Sequence, residues 1–171
     1  MCIEFGEWQI RSFRPEDAES VARHANNRKV WRNLRDRFPH PYRVRHAEVW
    51  IDLAAAQTPE TNFAIASATE AIGGIGLELR RDVHRRSANV GYWLGEPYWG
   101  RGIATRALQA FTEFAFAEFD LVRIDANVYE WNPASARVLE KAGYEYEGRL
   151  RKSITKDGQT IDEWLYATVR G

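Results

Sequence analysis

The stretch from 91 to 106, Gly-Tyr-Trp-Leu-Gly-Glu-Pro-Tyr-Trp-Gly-Arg-Gly-Ile-Ala-Thr-Arg, constrains this chain more than any other. An apolar run ends at Leu94, a turn follows, and two glycines flank Arg101. Helical periodicity then begins. Ile103, Ala104, Ala107, Leu108, Phe111, Phe114 and Ala115 fall within one arc, with Thr105, Arg106, Gln109, Thr112 and Glu113 on the other. A strand, a glycine loop and a helix in succession aim unsatisfied backbone N–H groups and a positive dipole end at one point, which suits an anion. Gly100 and Gly102 lack a Cβ, so a phosphate can approach the backbone, and Arg101 adds a cation. The expectation is a phosphate-bearing ligand at the start of this helix. The alternative is a tight strand-to-helix turn with no ligand. No Gly-Lys-Ser/Thr follows, so the loop is not a Walker A motif, and Thr105 stands where a G-x-G-x-x-G pattern from Gly100 needs its last glycine.

The remaining segments alternate strand and helix patterns. Trp8 to Phe13 alternates apolar and polar, as a first strand does. Pro15, Glu16 and Asp17 open a helix predicted to reach Asn26 or Asn27. Residues 28–45 carry Arg28, Lys29, Arg32, Arg35, Arg37, Arg43 and Arg45 against a single acid, Asp36, with Trp31, Phe38 and Tyr42 interleaved. This composition fits a solvated loop with aromatics tucked inward. The functional alternative is a substrate-facing lid or a basic rim for an acidic peptide or an RNA-associated target. Arg45 to Ala56 reads as a second helix with Val49, Leu53 and Ala56 on its apolar face. Phe63–Ala66 and Ala71–Leu79 read as a hairpin turning near Thr69 and Glu70, in which Gly73 and Gly74 mark a bulge or a close backbone approach. Ser87–Leu94 is the next strand. Leu121–Val128 follows the long helix and is expected to pair parallel to it in a crossover. Asn132 and Pro133 form an N-cap and first position of a helix that ends at Gly143. Strands from Tyr144 and from Thr160 to Val169 flank a turn centred on Asp157-Gly158.

Three strings together resemble the GNAT N-acetyltransferase superfamily. Its pyrophosphate loop reads Q/R-x-x-G-x-G/A, which Gly102 and Ala104 match while Trp99 stands at the Gln/Arg position. Gly-Tyr-Trp-Leu followed by Tyr-Trp-Gly-Arg-Gly-Ile-Ala-Thr looks like the RimJ/RimL branch, which acetylates protein N-terminal amines. Asn132, Ser135, Glu140, Lys141, Gly143 and Tyr144 complete a superfamily-like string. The resemblance covers nearly the whole chain, most specifically residues 88–171. It implies one α/β domain (α+β by some schemes): a mixed, mostly antiparallel sheet of about seven strands with flanking helices and a splayed central strand pair.

The resemblance also implies a site. Acetyl-CoA would place its pyrophosphate on the backbone of Gly100, Arg101, Gly102, Ile103, Ala104 and Thr105, beside Trp99. The backbone of Tyr92, Trp93 and Leu94 would pair with the pantetheine arm and polarise the thioester carbonyl. Asn127 and Asn132 would bond that arm, Ser135 would lie near the sulfur, and Arg137 and Lys141 would reach the adenosine phosphates. An N-cap role alone also explains Asn132. Two departures from the family pattern bear on chemistry. Leu139 stands where many members have a tyrosine acid, leaving Ser135 as the group expected at the leaving sulfur. Asn89 stands at the catalytic position where many relatives carry a glutamate, and an amide takes no proton at neutral pH. Glu130, Glu147, His40 or a water chain remain as routes for the amine's proton. Trp31, Arg35, Tyr42 and Glu130 are expected to face the substrate.

Composition bounds the rest. Its 171 residues, 44% hydrophobic and 28% charged, suit one globular domain. Zero formal net charge argues against a nucleic-acid-coating surface, and a single cysteine, Cys2, rules out a disulfide framework or a cysteine zinc cluster, so no metal is expected. No apolar run is long enough to span a bilayer and the first residues do not read as a signal peptide, which gives a cytoplasmic expectation. The function expected is acetyl transfer from acetyl-CoA to a protein or peptide α-amine. The alternatives are a small-molecule amine acetyltransferase and a non-catalytic acyl-CoA-binding module. The sequence leaves open whether the chain is a monomer or a homodimer.

Overall fold

A short strand not read from the sequence precedes the alternating residues that begin at Trp8. β1 (Cys2–Phe5) and β2 (Trp8–Arg11) pair antiparallel, with Gly6 at φ +74° in the turn between them. The computed structural model describes every residue from Met1 to Gly171. Six further strands follow: β3 (Asn62–Ala66), β4 (Ala71–Leu79), β5 (Ser87–Leu94), β6 (Arg123–Tyr129), β7 (Glu145–Lys156) and β8 (Gln159–Val169). They hydrogen-bond in the order β1-β2-β3-β4-β5-β6-β8-β7. The sheet therefore has eight strands where the sequence suggested about seven. The additional one is β1, whose Ile3 and Phe5 alternate with exposed neighbours too briefly to stand out as a pattern.

The chain divides into two compact units, residues 1–76 with 92–107 and residues 77–91 with 108–171. In the first unit, β1 to β4 pair successively antiparallel where their registers are defined. α1 (Ala18–Ala25) and α3 (Val44–Ala56) pack on one another, joined by a one-turn helix α2 (Arg28–Trp31) and a loop. The helix expected from Pro15 begins instead as a single 3-10 turn, Pro15–Asp17, and becomes α-helical at Ala18. The buried face of α3 is also not the expected one. Ala47, Ile51 and Ala54 are buried, whereas Val49 and Leu53 lie on the exposed side. The spacing of the buried three is i, i+4, i+7, and the small side chains of Ala47 and Ala54 let α3 approach the alanines of α1. Phe13, Val21, Tyr42, Ile51 and Ala64 join the resulting core, with Phe38, Trp50 and Trp93 packed against it.

The second unit carries the crossover read from the sequence. β5 and β6 pair parallel, linked by α4 (Ile103–Glu118), and β6 pairs antiparallel with β8 along its whole length. β7 and β8 form a long hairpin turned by Asp157 (φ 51°) and Gly158 (φ 73°). α5 (Pro133–Lys141) ends at Gly143, φ +93°, the left-handed cap its sequence predicted. Ile124, Val128 and Leu139 are fully enclosed in this unit's core.

One buried ion pair anchors the entry to α1. Asp17 accepts both Arg11 guanidinium N–H groups (2.7 and 2.8 Å) and the Arg14 backbone N–H (2.8 Å). Burial opposes the charge on Asp17, but the bonds from Arg11 and Arg14 outweigh it and hold the carboxyl below the ordinary aspartate range. A depressed carboxyl contributes stability that is complete above its unfolded-state value and is lost as pH falls through its folded-state value. Asp17→Asn is expected to cost about 3 kcal/mol at neutral pH, because it leaves Arg11 charged and buried. Urea unfolding of both proteins across pH checks this. The gap between them should begin to narrow as pH falls below the unfolded-state aspartate value, about 4, and close only below the depressed folded-state value.

Candidate functional site

In the first unit the loop between β5 and α4 presents a row of unused donors. The first bond of α4 runs from Arg106 N–H to Gly102 O at 3.2 Å, and Trp99 N–H is taken by Glu96 O at 3.1 Å. Between them, the backbone N–H groups of Gly100, Arg101, Gly102, Ile103, Ala104 and Thr105 find no acceptor in the protein. Gly100 and Gly102 both sit at φ +72°, in the left-handed region, and a Cβ on either would meet nothing within 4 Å. Glycine is thus required by the backbone path, and the space in front of the loop is open. Alternating conformations of this kind turn successive N–H groups toward one concavity, and the positive end of a sixteen-residue helix adds its field. The arrangement is chemically suited to a pyrophosphate.

The loop is held at both ends. Trp99, at the family's Gln/Arg position, donates its indole N–H to Leu94 O at 2.7 Å and so closes the turn onto the end of β5. Tyr98 packs edge-on to Trp8 and His24 and donates its hydroxyl to Glu70 at 3.3 Å. Glu70 also accepts from Arg23 and lies 3.4 Å from His24 Nε2. The guanidinium of Arg101 lies over Trp8 and Tyr98, 5.2 and 5.7 Å from the ring centroids, and 3.7 Å from Glu7. Its charge is therefore spent on those rings rather than standing unengaged beside the glycines. Gly73 explains the tight glycine run of β4: a Cβ there would stand 2.3 Å from Trp93 O. Gly95 N–H bonds to Ile72 O at 2.8 Å just beyond. The close backbone approach is real at Gly73, against Trp93 and Leu94 of β5, whereas Gly74 makes room for the Trp93 indole.

The second unit, taken by itself, contains a strand bracket and a helix start. The parallel ladder of β5 with β6 consists of Ser87, Ala88 and Asn89 against Arg123, Ile124 and Asp125, and ends there although both strands run on. At its last rung Asn89 donates its side-chain N–H groups to Asp125 Oδ1 (2.8 Å) and Asn127 Oδ1 (2.9 Å). Both bonds fix which way the amide faces, leaving Oδ1 as its acceptor. Asp125, buried, receives Arg80 through two bonds of 2.5 and 2.9 Å and Arg123 at 3.3 Å. Burial opposes its charge, and the bonds from Arg80 and Asn89 overcome that and lower its pKa. At the start of α5, the Asn132 side chain makes no capping bond, although it occupies the N-cap position, and no other partner takes its amide. The N-cap explanation of Asn132 therefore fails on geometry. Ser135, half-buried, donates its backbone N–H to Asn132 O at 3.2 Å. Leu139 is wholly enclosed, while Arg137 and Lys141 are exposed.

Several residues expected to face a substrate have structural duties. Tyr42 is 5% exposed, packs on Phe38 and His46, and burial pushes its hydroxyl up to about 12. It belongs to the core because its N–H is tied to Asn26 Oδ1 at 3.0 Å, which draws the chain inward. Glu130 exchanges bonds with the Asp162 backbone, at 3.0 and 3.1 Å, and holds the end of β8. Glu147 is bidentate with Arg123 (2.9 and 2.6 Å), which lowers its pKa and makes it a poor base. His40 lies against Trp31, ring centroids 5.5 Å apart, and Arg35 is exposed. Asn127 serves as acceptor for Asn89. Sequence reading missed Asp125 and Glu70. A charged residue inside the apolar run Ile124–Val128 was the available signal for Asp125, whereas nothing local marks Glu70.

Comparisons with known proteins bear on this site. A family model described as an acetyltransferase (GNAT) domain matches residues 8–145. The chain is 27% identical over 163 residues to the SPbeta prophage-derived uncharacterized N-acetyltransferase YokL of Bacillus subtilis, covering 94% of this chain and 89% of that one. It is 32% identical over 107 residues to the ribosomal-protein-serine acetyltransferase of Escherichia coli, covering 63% and 59%. The chain spans less than two thirds of the length of that protein and of three other curated Bacillus relatives it matches. Among solved structures it is similar to Mycobacterium smegmatis RimJ in complex with CoA-disulfide. There the TM-score is 0.83 and the identity 26%, over 95% of this chain and 81% of that one.

Two glycine substitutions separate backbone path from crowding. Gly100→Ala meets open space but adopts a left-handed backbone, so it should cost about 1–2 kcal/mol. Gly73→Ala forces a methyl into Trp93 O and should cost more than Gly100→Ala. Chemical denaturation of both variants reads the order directly, and a Gly73→Ala protein as stable as wild type would contradict the close approach.

Proposed function

This chain belongs to the GNAT acetyltransferase family, and from that membership we propose that it transfers acetyl from acetyl-CoA to the α-amine at a protein or peptide N-terminus. The observation that carries the reading is the row of unpaired N–H groups from Gly100 to Thr105 at the head of α4. Such donors satisfy a pyrophosphate without side-chain charge. Tyr92, Trp93 and Leu94 offer backbone for the pantetheine arm in the manner of a strand addition. The uncommitted amide of Asn132 bonds that arm, and Arg137 and Lys141 meet the adenosine phosphates.

The amine nitrogen attacks the thioester carbonyl carbon, the C–S bond breaks, and the Ser135 hydroxyl hydrogen-bonds the departing sulfur. The attacking nitrogen sheds a proton to solvent. Asn89 presents Oδ1 as an acceptor that orients an N–H of the amine, its flip fixed by Asp125 and Asn127. The carboxylates around it are poor bases, because ion pairing lowers both Asp125 and Glu147. A site without a strong base favours the amine with the larger neutral fraction near neutral pH. An α-amine titrates near 8, a lysine above 10, so the α-amine needs far less help. The name of the Escherichia coli relative, which acts on a ribosomal-protein serine, points the same way.

Calorimetric titration with acetyl-CoA tests the donor half. Wild type should bind at micromolar affinity and Gly102→Glu should not, since the new carboxylate occupies the pyrophosphate position. No binding to folded wild type would sink the transferase reading, and binding without turnover of any amine would leave an acyl-CoA-binding module. Ser135→Ala should retain acetyl-CoA affinity and lose about 10²-fold in kcat. With a peptide whose only amine is its N-terminus, kcat/KM should rise with pH and level near about 8, the α-amine value. A rise continuing past 10 on lysine-bearing, N-blocked peptides would assign a side-chain acceptor.

A further inference from the structure

The basic segment 28–45 is anchored to the very stretch proposed to hold the acyl donor. Its base is closed by Tyr42 N–H on Asn26 Oδ1 at 3.0 Å. Phe38 packs on Tyr42 (4.9 Å between centroids) and on Trp93 of β5 (5.6 Å). At its start, Asn27 and Lys29 both donate to Glu96, at 3.1 and 2.9 Å, one residue past the Gly95 that follows β5. Arg37, beside Phe38, and Arg43 and Arg45, just beyond Tyr42, are exposed and carry no ion pair. The segment holds one acid against seven cations in a chain of zero formal charge, so the rest of the chain is net negative. The strap is thus a local concentration of positive charge in a chain that is neutral overall.

We propose that this strap is the docking surface for an acidic stretch of the acceptor polypeptide, a few residues downstream of the amine being acetylated. This rests on the transferase reading for its purpose but not for its test. Carboxylates of such a stretch meet Arg37, Arg43 and Arg45 while the packing of Phe38 on Trp93 keeps the strap beside β5. Complementary charge then selects the partner and speeds encounter, and it does so less as salt screens it. A nucleic acid is the less fitting occupant, because the chain as a whole carries zero formal net charge.

Fluorescence anisotropy on the full chain in the presence of coenzyme A tests it with two C-terminally labelled peptides, Ser-Glu-Glu-Asp-Glu and Ser-Gln-Gln-Asn-Gln. The acidic peptide should bind about 10-fold tighter at low salt, the two converging near 0.5 M salt as the Debye length shrinks to roughly 4 Å. The combined variant Arg37→Gln/Arg43→Gln/Arg45→Gln should lose the preference while keeping acetyl-CoA affinity within about twofold, and the Glu version should invert it. Equal affinities in wild type, or a preference surviving in the variant, overturns the proposal. A single-stranded oligonucleotide of matched charge binding as tightly as the acidic peptide would assign the strap to nucleic acid and also overturn it. Because anisotropy needs no turnover, its failure is separable from failure of the transferase reading, which shows instead as absent acetyl-CoA binding.

Discussion

The backbone N–H groups of Gly100 to Thr105 have no partner within the protein, and the neighbouring chain is arranged to keep them so. Unpaired donors are costly where water is excluded. Here they are tolerated because the loop is exposed and its space is open. Two glycines at φ +72° hold the conformation, Trp99 staples its start to Leu94, and Glu70 fixes Tyr98 from the β3–β4 turn. The glycines of β4 belong to the same arrangement. Without a side chain at Gly73 the backbone of Trp93 and Leu94 lies close, and without one at Gly74 the Trp93 indole finds its place.

In the second unit the comparable constraint is where β5 parts from β6. Three paired residues end at Asn89 and Asp125, and an amide bridges that final rung. Asp125 is neutralised by Arg80 and Arg123, so a buried carboxylate orients an amide instead of acting as a base. The departure from the family's usual glutamate is thereby given a physical consequence. Under the proposed transfer, proton removal would fall to solvent, which favours the amine with the larger neutral fraction at working pH.

Most of the fold was legible because long elements carry strong periodicity. β5, α4, the β7–β8 turn and the Gly143 cap all follow from local pattern. β1 was missed because four residues offer too short an alternation. The face of α3 was misread because Val49 and Leu53 outweigh alanine on any hydropathy argument, while helix packing favoured the small side chains of Ala47 and Ala54. The backbone path of the glycine loop was legible, since it depends on one contiguous stretch. Tyr42, Glu130 and Glu147 were not, because their roles depend on partners far away in sequence: Asn26, Asp162 and Arg123. Side-chain identity alone does not reveal whether a carboxylate is already engaged.

The central claim is that the loop's N–H groups receive the donor's phosphates, and backbone hydrogen exchange with and without coenzyme A tests it most directly. The account predicts strong new protection at Gly100 to Thr105, accompanied by protection at Tyr92 to Leu94. Coenzyme A binding that leaves those amides exchanging at their unliganded rates would contradict it.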